Sequence, residues 1–324
     1  MSSRYVAGDF LFDLRTEYGP ADVVWSHSRR SALEQCPRRY YYEYFGASSR
    51  LAAGEPAKQR LRFLKSLQGR HERAGTIVHQ LIANWMRRAK SGEPWTSERM
   101  DKWGRQLFER DVQFSMRWPD GNADLKEKYP PTLLREFHYR DRNARDVCDE
   151  SARRVGEALK AFVDAPAFEP FRVGGAQSGS RVEEGFRLQG LPCRTTGKVD
   201  IAFSDGDAAC VADWKLGGSD GTGATSLQLA AYGMWAREQF PQASKVRVFK
   251  AFLTDSVARE YAATAELEGA VRARIVQDSQ RMALLQGYGE DAQTEAFTAC
   301  AQPRVCALCK YRSICPEGSS CRES

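Results

Sequence analysis

Apolar and polar positions change their period along this chain. From Gly75, the residues Ile77, Val78, Leu81, Ile82, Trp85 and Met86 recur at helical spacing, and the pattern predicts an amphipathic helix with His79 in it. Helices are also expected over 97–117 and 132–165, separated by a Pro- and Gly-containing stretch at 119–131. Ahead of them, residues 1–25 read as an extended lead-in. Ser31-x-x-Glu34 reads as a capping box opening a short helix before Pro37. Near Arg181 the period falls towards two. Strands are expected at 182–188, 197–203, 209–216 and 245–253, with a hairpin turn at 204–207 and helices at 226–239 and 263–286. Three strands, a helix and a further strand make a small mixed sheet, so the chain is expected to be α/β with flanking helices drawn from its earlier part.

Composition narrows the class. The 324 residues are 42% hydrophobic and 28% charged, with 26 Gly and 13 Pro, which excludes collagenous and disordered chains. No apolar run is long enough to span a membrane, so no membrane role is expected. The start of the chain has no basic segment leading into an apolar run, which gives a cytoplasmic expectation. The net charge of +6 permits nucleic-acid binding without demanding it.

Cysteine usage says more. Nine cysteines, an odd number, in a large chain expected in the cytoplasm argue against a disulfide framework and for a metal or redox role. Cys306-x2-Cys309-x5-Cys315 brings three thiolates together, which suits a soft metal or an iron–sulfur cluster. A fourth ligand would come from Cys300, Cys321 or the distant Cys36. Zinc is the plainer alternative, although a zinc ribbon usually has two paired C-x2-C knuckles and this chain has one.

Alternation along a strand puts Asp213 and Lys215 on one face with Trp214 opposite. Asp200, on the preceding strand of the hairpin, is then within reach of Asp213 across the pair. Two neighbouring carboxylates repel unless a cation joins them, and oxygen ligands favour Mg²⁺ or Mn²⁺. A lysine beside them can act on water or on a scissile phosphate. By itself, Asp-x-Lys on a strand is an ordinary surface ion pair. Gln228 and Tyr232 share one helix face at i and i+4. Arg38 and Arg39 adjoin an aromatic run, Tyr40–Phe45, that would stack bases or, more plainly, pack around the cysteines. The basic stretch 58–73 is a second phosphate-contact candidate.

In this order, Cys36-Pro-Arg-Arg-Tyr, Gly75-x3-His79, Gly197-Lys-Val-Asp200, Asp213-Trp-Lys215, Gln228-x3-Tyr232 and the Cys306–Cys315 cysteines resemble the PD-(D/E)XK nuclease superfamily. The likeness is to its RecB-like iron–sulfur branch, which includes the AddB nuclease domain and the iron–sulfur nucleases of CRISPR adaptation. The resemblance implies a restriction-endonuclease-like mixed central sheet flanked by helices. It implies an N-terminal helical part at 1–89, a helical insertion at 90–180, a sheet core at 181–290 and a C-terminal cysteine-rich tail at 291–324. It implies that His79, Asp200 and Asp213 hold Mg²⁺ or Mn²⁺, that Lys215 acts on water or phosphate, and that Glu183, in preference to Glu184, adds an acid. Gln228 and Tyr232 would contact DNA or brace the site, with Arg38 and Arg39 as further DNA contacts. Cys36 would join Cys306, Cys309 and Cys315 around a 4Fe–4S cluster that is mainly structural. The implied activity is DNA cleavage, most plainly by an exonuclease on single strands or duplex ends. A helicase or another repair or defence subunit is the implied partner, since this chain has no phosphate-binding loop of the G-x4-G-K-[ST] kind. The rival is a catalytically silent DNA-binding subunit. Valine instead of proline before Asp200, and tryptophan at position 214, depart from the common pattern.

Overall fold

The computed structural model describes residues 18–47, 56–122, 128–218, 226–291 and 293–320. Its first part carries β1 (Val24–Trp25), α1 (His27–Gln35), α2 (Pro37–Tyr41) and a π-helical turn (Tyr42–Gly46). Then come α3 (Pro56–Ser66), α4 (Arg70–Ala89), α5 (Ser97–Arg117), α6 (Arg135–His138), α7 (Ala144–Asp164) and α8 (Glu169–Ala176). The strands β2 (Arg181–Phe186), β3 (Arg194–Thr195), β4 (Gly197–Asp205) and β5 (Ala208–Lys215) follow. The chain continues through α9 (Leu227–Gln239), β6 (Lys245–Phe252), β7 (Val257–Tyr261), α10 (Ala265–Glu290), α11 (Pro303–Ala307) and α12 (Pro316–Ser320).

Two units divide the chain. One comprises 63–186 and 197–269; the other comprises the described residues of 1–62, 187–196 and 270–324. The first holds a five-stranded sheet in the order β2-β4-β5-β6-β7, antiparallel except for the parallel step from β5 to β6. A parallel step needs a crossover, and α9 supplies it. Ser226 caps α9 by accepting the Leu229 N–H, and the helix is buried from Leu229 through Ala236. The β4–β5 hairpin turns on Gly206 and Asp207, with Gly206 at φ +57, a conformation glycine adopts without a Cβ clash.

Helical packing on the sheet follows the apolar stripe of α4. Ala74, Ile77, Val78, Leu81, Ile82, Trp85 and Met86 join Ile201, Phe203, Ala212 and Trp214 in one buried cluster with α5 and α7. Glu72 in the first turn and Arg87 and Arg88 in the last complement the dipole of α4. Helix α8 comes close to the sheet through two glycines. A Cβ on Gly174 would lie 2.2 Å from the Phe203 ring, and one on Gly175 would lie 2.2 Å from Met86 Sδ. This mixed α/β architecture is the one expected from the alternating pattern. Among the described residues, no helix is long and apolar enough to cross a membrane.

The second unit is built around aromatic rings. Tyr40, Tyr41, Tyr42 and Phe45 are buried, and they meet Phe297 and Tyr311 at ring-centroid distances of 5.1 Å for Tyr41–Phe297 and 5.3 Å for Tyr42–Tyr311. Trp25 donates its indole N–H to Asp278 at 3.0 Å.

Several local expectations are corrected. Helix α1 opens at His27, where Ser26 is extended (φ −150) and its hydroxyl accepts the Arg29 N–H; Ser31 is inside the helix. The 132–165 stretch is two helices, because Arg140 at φ +54 turns the chain between α6 and α7. Strand β7 was not expected, and residues 18–25 include a 3-10 turn (Pro20–Asp22) as well as β1.

Candidate active site

The site lies where two paired strands part. The β4–β5 ladder ends at Ile201↔Ala212. Beyond it, the start of β4 runs beside β2 and the end of β5 runs beside β6. Asp200 sits in the fork. Its Oδ2 accepts the Trp214 backbone N–H at 2.8 Å, and its Oδ1 lies 2.9 Å from His79 Nδ1. The other ring nitrogen, His79 Nε2, faces the Trp214 carbonyl oxygen at 3.1 Å. Both nitrogens therefore face acceptors, which only a doubly protonated ring satisfies. Burial works against that charge, but the Asp200 carboxylate, with Asp213 and Glu183 behind it, outweighs burial and raises the His79 pKa above 6.5.

Glu183 completes a group with His79 and Asp200 in which one ligand atom from each lies within 4.8 Å of the others. Its place on β2, between the pairs Val182↔Ile201 and Glu184↔Val199, sets it across from Asp200. Its φ of +54 breaks the strand's alternation, a conformation costing on the order of 1 kcal/mol for a non-glycine residue. Glu183 Oε1 is buried without a hydrogen-bond partner, 3.8 Å from His79 Nδ1. Glu183 Oε2 is held by the Lys198 ammonium.

Asp213 is 2% exposed, on the face of β5 opposite Trp214. Lys215 Nζ lies 2.5 Å from its Oδ2 and pairs with it. Burial, and then the neighbouring Asp200 charge, push the Asp213 pKa up to about 6 against the pull of Lys215. From α9, Gln228 donates to Asp213 Oδ1 at 3.3 Å and to the Tyr232 hydroxyl at 2.7 Å. The Tyr232 hydroxyl donates to the Lys198 carbonyl at 2.8 Å. The i, i+4 pair thus ties the crossover helix to both strands of the fork. Burial, followed by the charges of Asp213 and Asp200, raises the Tyr232 pKa, so the phenol stays protonated and can donate.

His79 opens on a cleft of about 610 Å³ lined by Glu72, Gly75, Thr76, Gln80, Ala83, Arg87, Glu183 and Lys198. A Cβ on Gly75 would meet nothing within 4 Å. The His79 imidazole and the carboxylates of Glu183 and Asp200, with Glu183 Oε1 buried and unbonded and Asp213 beside them, match the ligand demand of a hard divalent cation.

In the other unit, Cys36, Cys300, Cys306, Cys309 and Cys315 line one small cavity with Arg38, Arg39 and Tyr42. Cys36, Cys306 and Cys315 are buried, while Cys300 and Cys309 are half-buried. Burial pushes the Cys315 thiol up to about 11, and it donates to Glu317 at 3.2 Å. Cys321 lies outside the described residues. Arg38 donates to the Phe297 carbonyl at 2.7 Å and Arg39 to Gln35 at 3.2 Å, and both arginines line the cysteine cavity. Within 58–73, Arg70 is bonded to Val147 and Ser151, and Arg73 is paired with Asp111 at 2.6 Å.

Sequence reasoning passed over Lys198, although it precedes Asp200 by two strand positions and so shares its face. Cys300 was one of three possible fourth ligands, and it lines the cavity beside Cys36.

A comparison with curated proteins finds no match. The family model of the PD-(D/E)XK nuclease superfamily matches residues 24–316, which include the strand fork, His79 and the five cysteines of the cavity. With nearly the whole sequence inside that match, the chain belongs to the PD-(D/E)XK nuclease superfamily.

Proposed function

We propose that this protein is a deoxyribonuclease dependent on Mg²⁺ or Mn²⁺, of the RecB-like iron–sulfur branch, acting as an exonuclease on single strands or duplex ends. The observation that carries the reading is the fork itself. His79, Glu183 and Asp200 converge on one point at the wall of an open cleft, and Asp213 and Lys215 are paired beside them.

In this reading His79, Asp200 and Asp213 hold the metal, and Glu183 adds an oxygen from the opposite strand. A divalent ion bound there lowers the pKa of water and offsets charge on a phosphoryl oxygen. Lys215 orients the attacking water or stabilises the developing phosphate charge. Gln228 and Tyr232 keep the Asp213 carboxylate aimed, since its Oδ1 is fixed from α9. The cleft is where a strand would enter, and Gly75 leaves its wall without a side chain there.

Cys36, Cys306, Cys309 and Cys315 would hold a 4Fe–4S cluster that acts as a cross-link. A zinc ribbon usually offers two C-x2-C knuckles, and the single one here, with Cys315 and the distant Cys36 on the same small cavity, is what supports a cluster instead.

The test is cleavage of end-labelled single- and double-stranded DNA by anaerobically purified protein with Mg²⁺ or Mn²⁺, beside Lys215→Ala. Metal-dependent cleavage that the variant loses is expected. Absence of cleavage from brown, folded protein would instead favour a silent DNA-binding subunit.

A further inference from the structure

We propose that Lys198 is a second working lysine of the site: it is the counter-ion of Glu183 while the metal is absent, and it contacts a phosphate of the DNA strand once the metal is bound. The inference rests on the metal-dependent nuclease reading above.

Each lysine of the site is paired with one acid, Lys215 with Asp213 and Lys198 with Glu183. The two pairs differ in accessibility. The Lys198 side chain is 56% exposed, against 36% for Lys215, and it stands in the wall of the cleft. Its backbone cannot move with it. The Lys198 carbonyl accepts the Tyr232 hydroxyl at 2.8 Å, and the residue is paired in register with Gly185. Because Gly185 has no side chain, nothing across the ladder restricts the lysine's swing.

Glu183 faces two ways. Oε2 is neutralised by Lys198, whereas Oε1 is the buried orphan turned towards His79 and Asp200. A divalent cation at the His79–Glu183–Asp200 group would take over neutralisation of that carboxylate. It would also repel an ammonium ion one carboxylate away. Lys198 then loses its partner and gains a repulsive neighbour, and the anion next available in the cleft is a phosphate of the incoming strand. One side chain therefore opposes metal binding and favours substrate binding, so the two events are coupled.

Mn²⁺ binding to the full chain, measured by calorimetry, tests the first half. Lys198→Met should bind Mn²⁺ about two- to fivefold tighter than the native protein, the factor that loss of one partly exposed ion pair corresponds to. Lys198→Arg should return affinity to the native value. The second half is read from the salt dependence of single-stranded DNA binding in a Lys215→Ala background, where cleavage is suppressed. With Mn²⁺, adding Lys198→Met should make the slope of log affinity against log salt shallower by about 0.7, the value for one lost phosphate contact. Without Mn²⁺ the slope should not change, because Lys198 is then held by Glu183. Native Mn²⁺ affinity in Lys198→Met, or an equal slope change with and without Mn²⁺, overturns the proposal. Failure of the native protein to bind Mn²⁺ at all would overturn the nuclease reading beneath it.

Discussion

Asp213→Asn is expected to end cleavage and yet stabilise the metal-free protein. Asp213 is nearly fully buried, and burial together with the Asp200 charge raises its pKa from 3.8 to about 6. An acid whose folded pKa exceeds its unfolded one destabilises the fold wherever the unfolded chain would ionise it. That cost is absent below about pH 4, grows between pH 4 and 6, and is full above about pH 6. A rise from 3.8 to about 6 corresponds to about 3 kcal/mol at neutral pH, the pull of Lys215 being already included. Asparagine removes the charge at nearly constant volume. Its amide N–H group faces the Lys215 ammonium, which offers no acceptor, and this takes back about 1–2 kcal/mol. The net gain is about 1–2 kcal/mol, or roughly 2–8 °C in Tm for a unit of this size. Thermal melts in EDTA at pH 7.5 and near pH 4 would measure it, with the gain present at the first and nearly gone at the second. Added Mn²⁺ should reverse the order, since metal stabilises only the protein that binds it. A variant that is less stable than the native protein at pH 7.5 without metal, or a gain that persists undiminished near pH 4, would refute the account.

Other consequences of the site and the packing are as direct. His79 has to give up a proton to become a ligand, so Mn²⁺ affinity should rise with pH until the raised His79 pKa is passed, then level off. Calorimetry in two buffers of different ionisation heat should count about one and a half protons released at pH 6, about one from His79 and about half from Asp213, and a pH-independent affinity would contradict the assignment. Gly174→Ala should cost about 1–3 kcal/mol in urea unfolding because its Cβ meets Phe203. Gly75→Ala, inside α4 with open space around it, should instead add about 0.5–1 kcal/mol while weakening DNA binding. Cys306→Ser should abolish visible absorbance and lower Tm, whereas Cys300→Ser should keep both; equal loss from the two would reassign the fourth ligand.

Much of this arrangement could be read from the chain because it follows simple periods. The 3.6-residue stripe of α4 and the two-residue alternation of β5 are enough to oppose Trp214 to Asp213 and Lys215. The i, i+4 spacing of Gln228 and Tyr232 foretells their hydrogen bond. What escaped the pattern depends on backbone departures or on distant partners. The choice between Glu183 and Glu184 turns on a positive φ that alternation does not encode. Strand β7 spans Val257–Tyr261, a short edge segment with Arg259 and Glu260 in it, and it reads as a loop until β6 is beside it. The parting of β4 from β5 leaves no trace in composition. It is visible only in where the ladder stops and in the side chain of Asp200 bonding a backbone N–H there.

The division of the chain into units also sets an order of manufacture. Residues 63–269, apart from the short excursion 187–196, form the unit that holds the acids. The cysteine cavity draws on both flanks of that stretch. At about 5–20 residues per second, some 15–50 s of synthesis separate Cys36 from Cys306, a gap of about 270 residues. Cys36 therefore emerges from the ribosome long before any of the thiols it will stand beside. During that interval its sulfur is a solitary target for oxidants, and the acid fork can be complete while the cavity still lacks most of its wall. Oxidative stress during synthesis would then act first on newborn chains, in which Cys36 is not yet buried as it is in the folded protein.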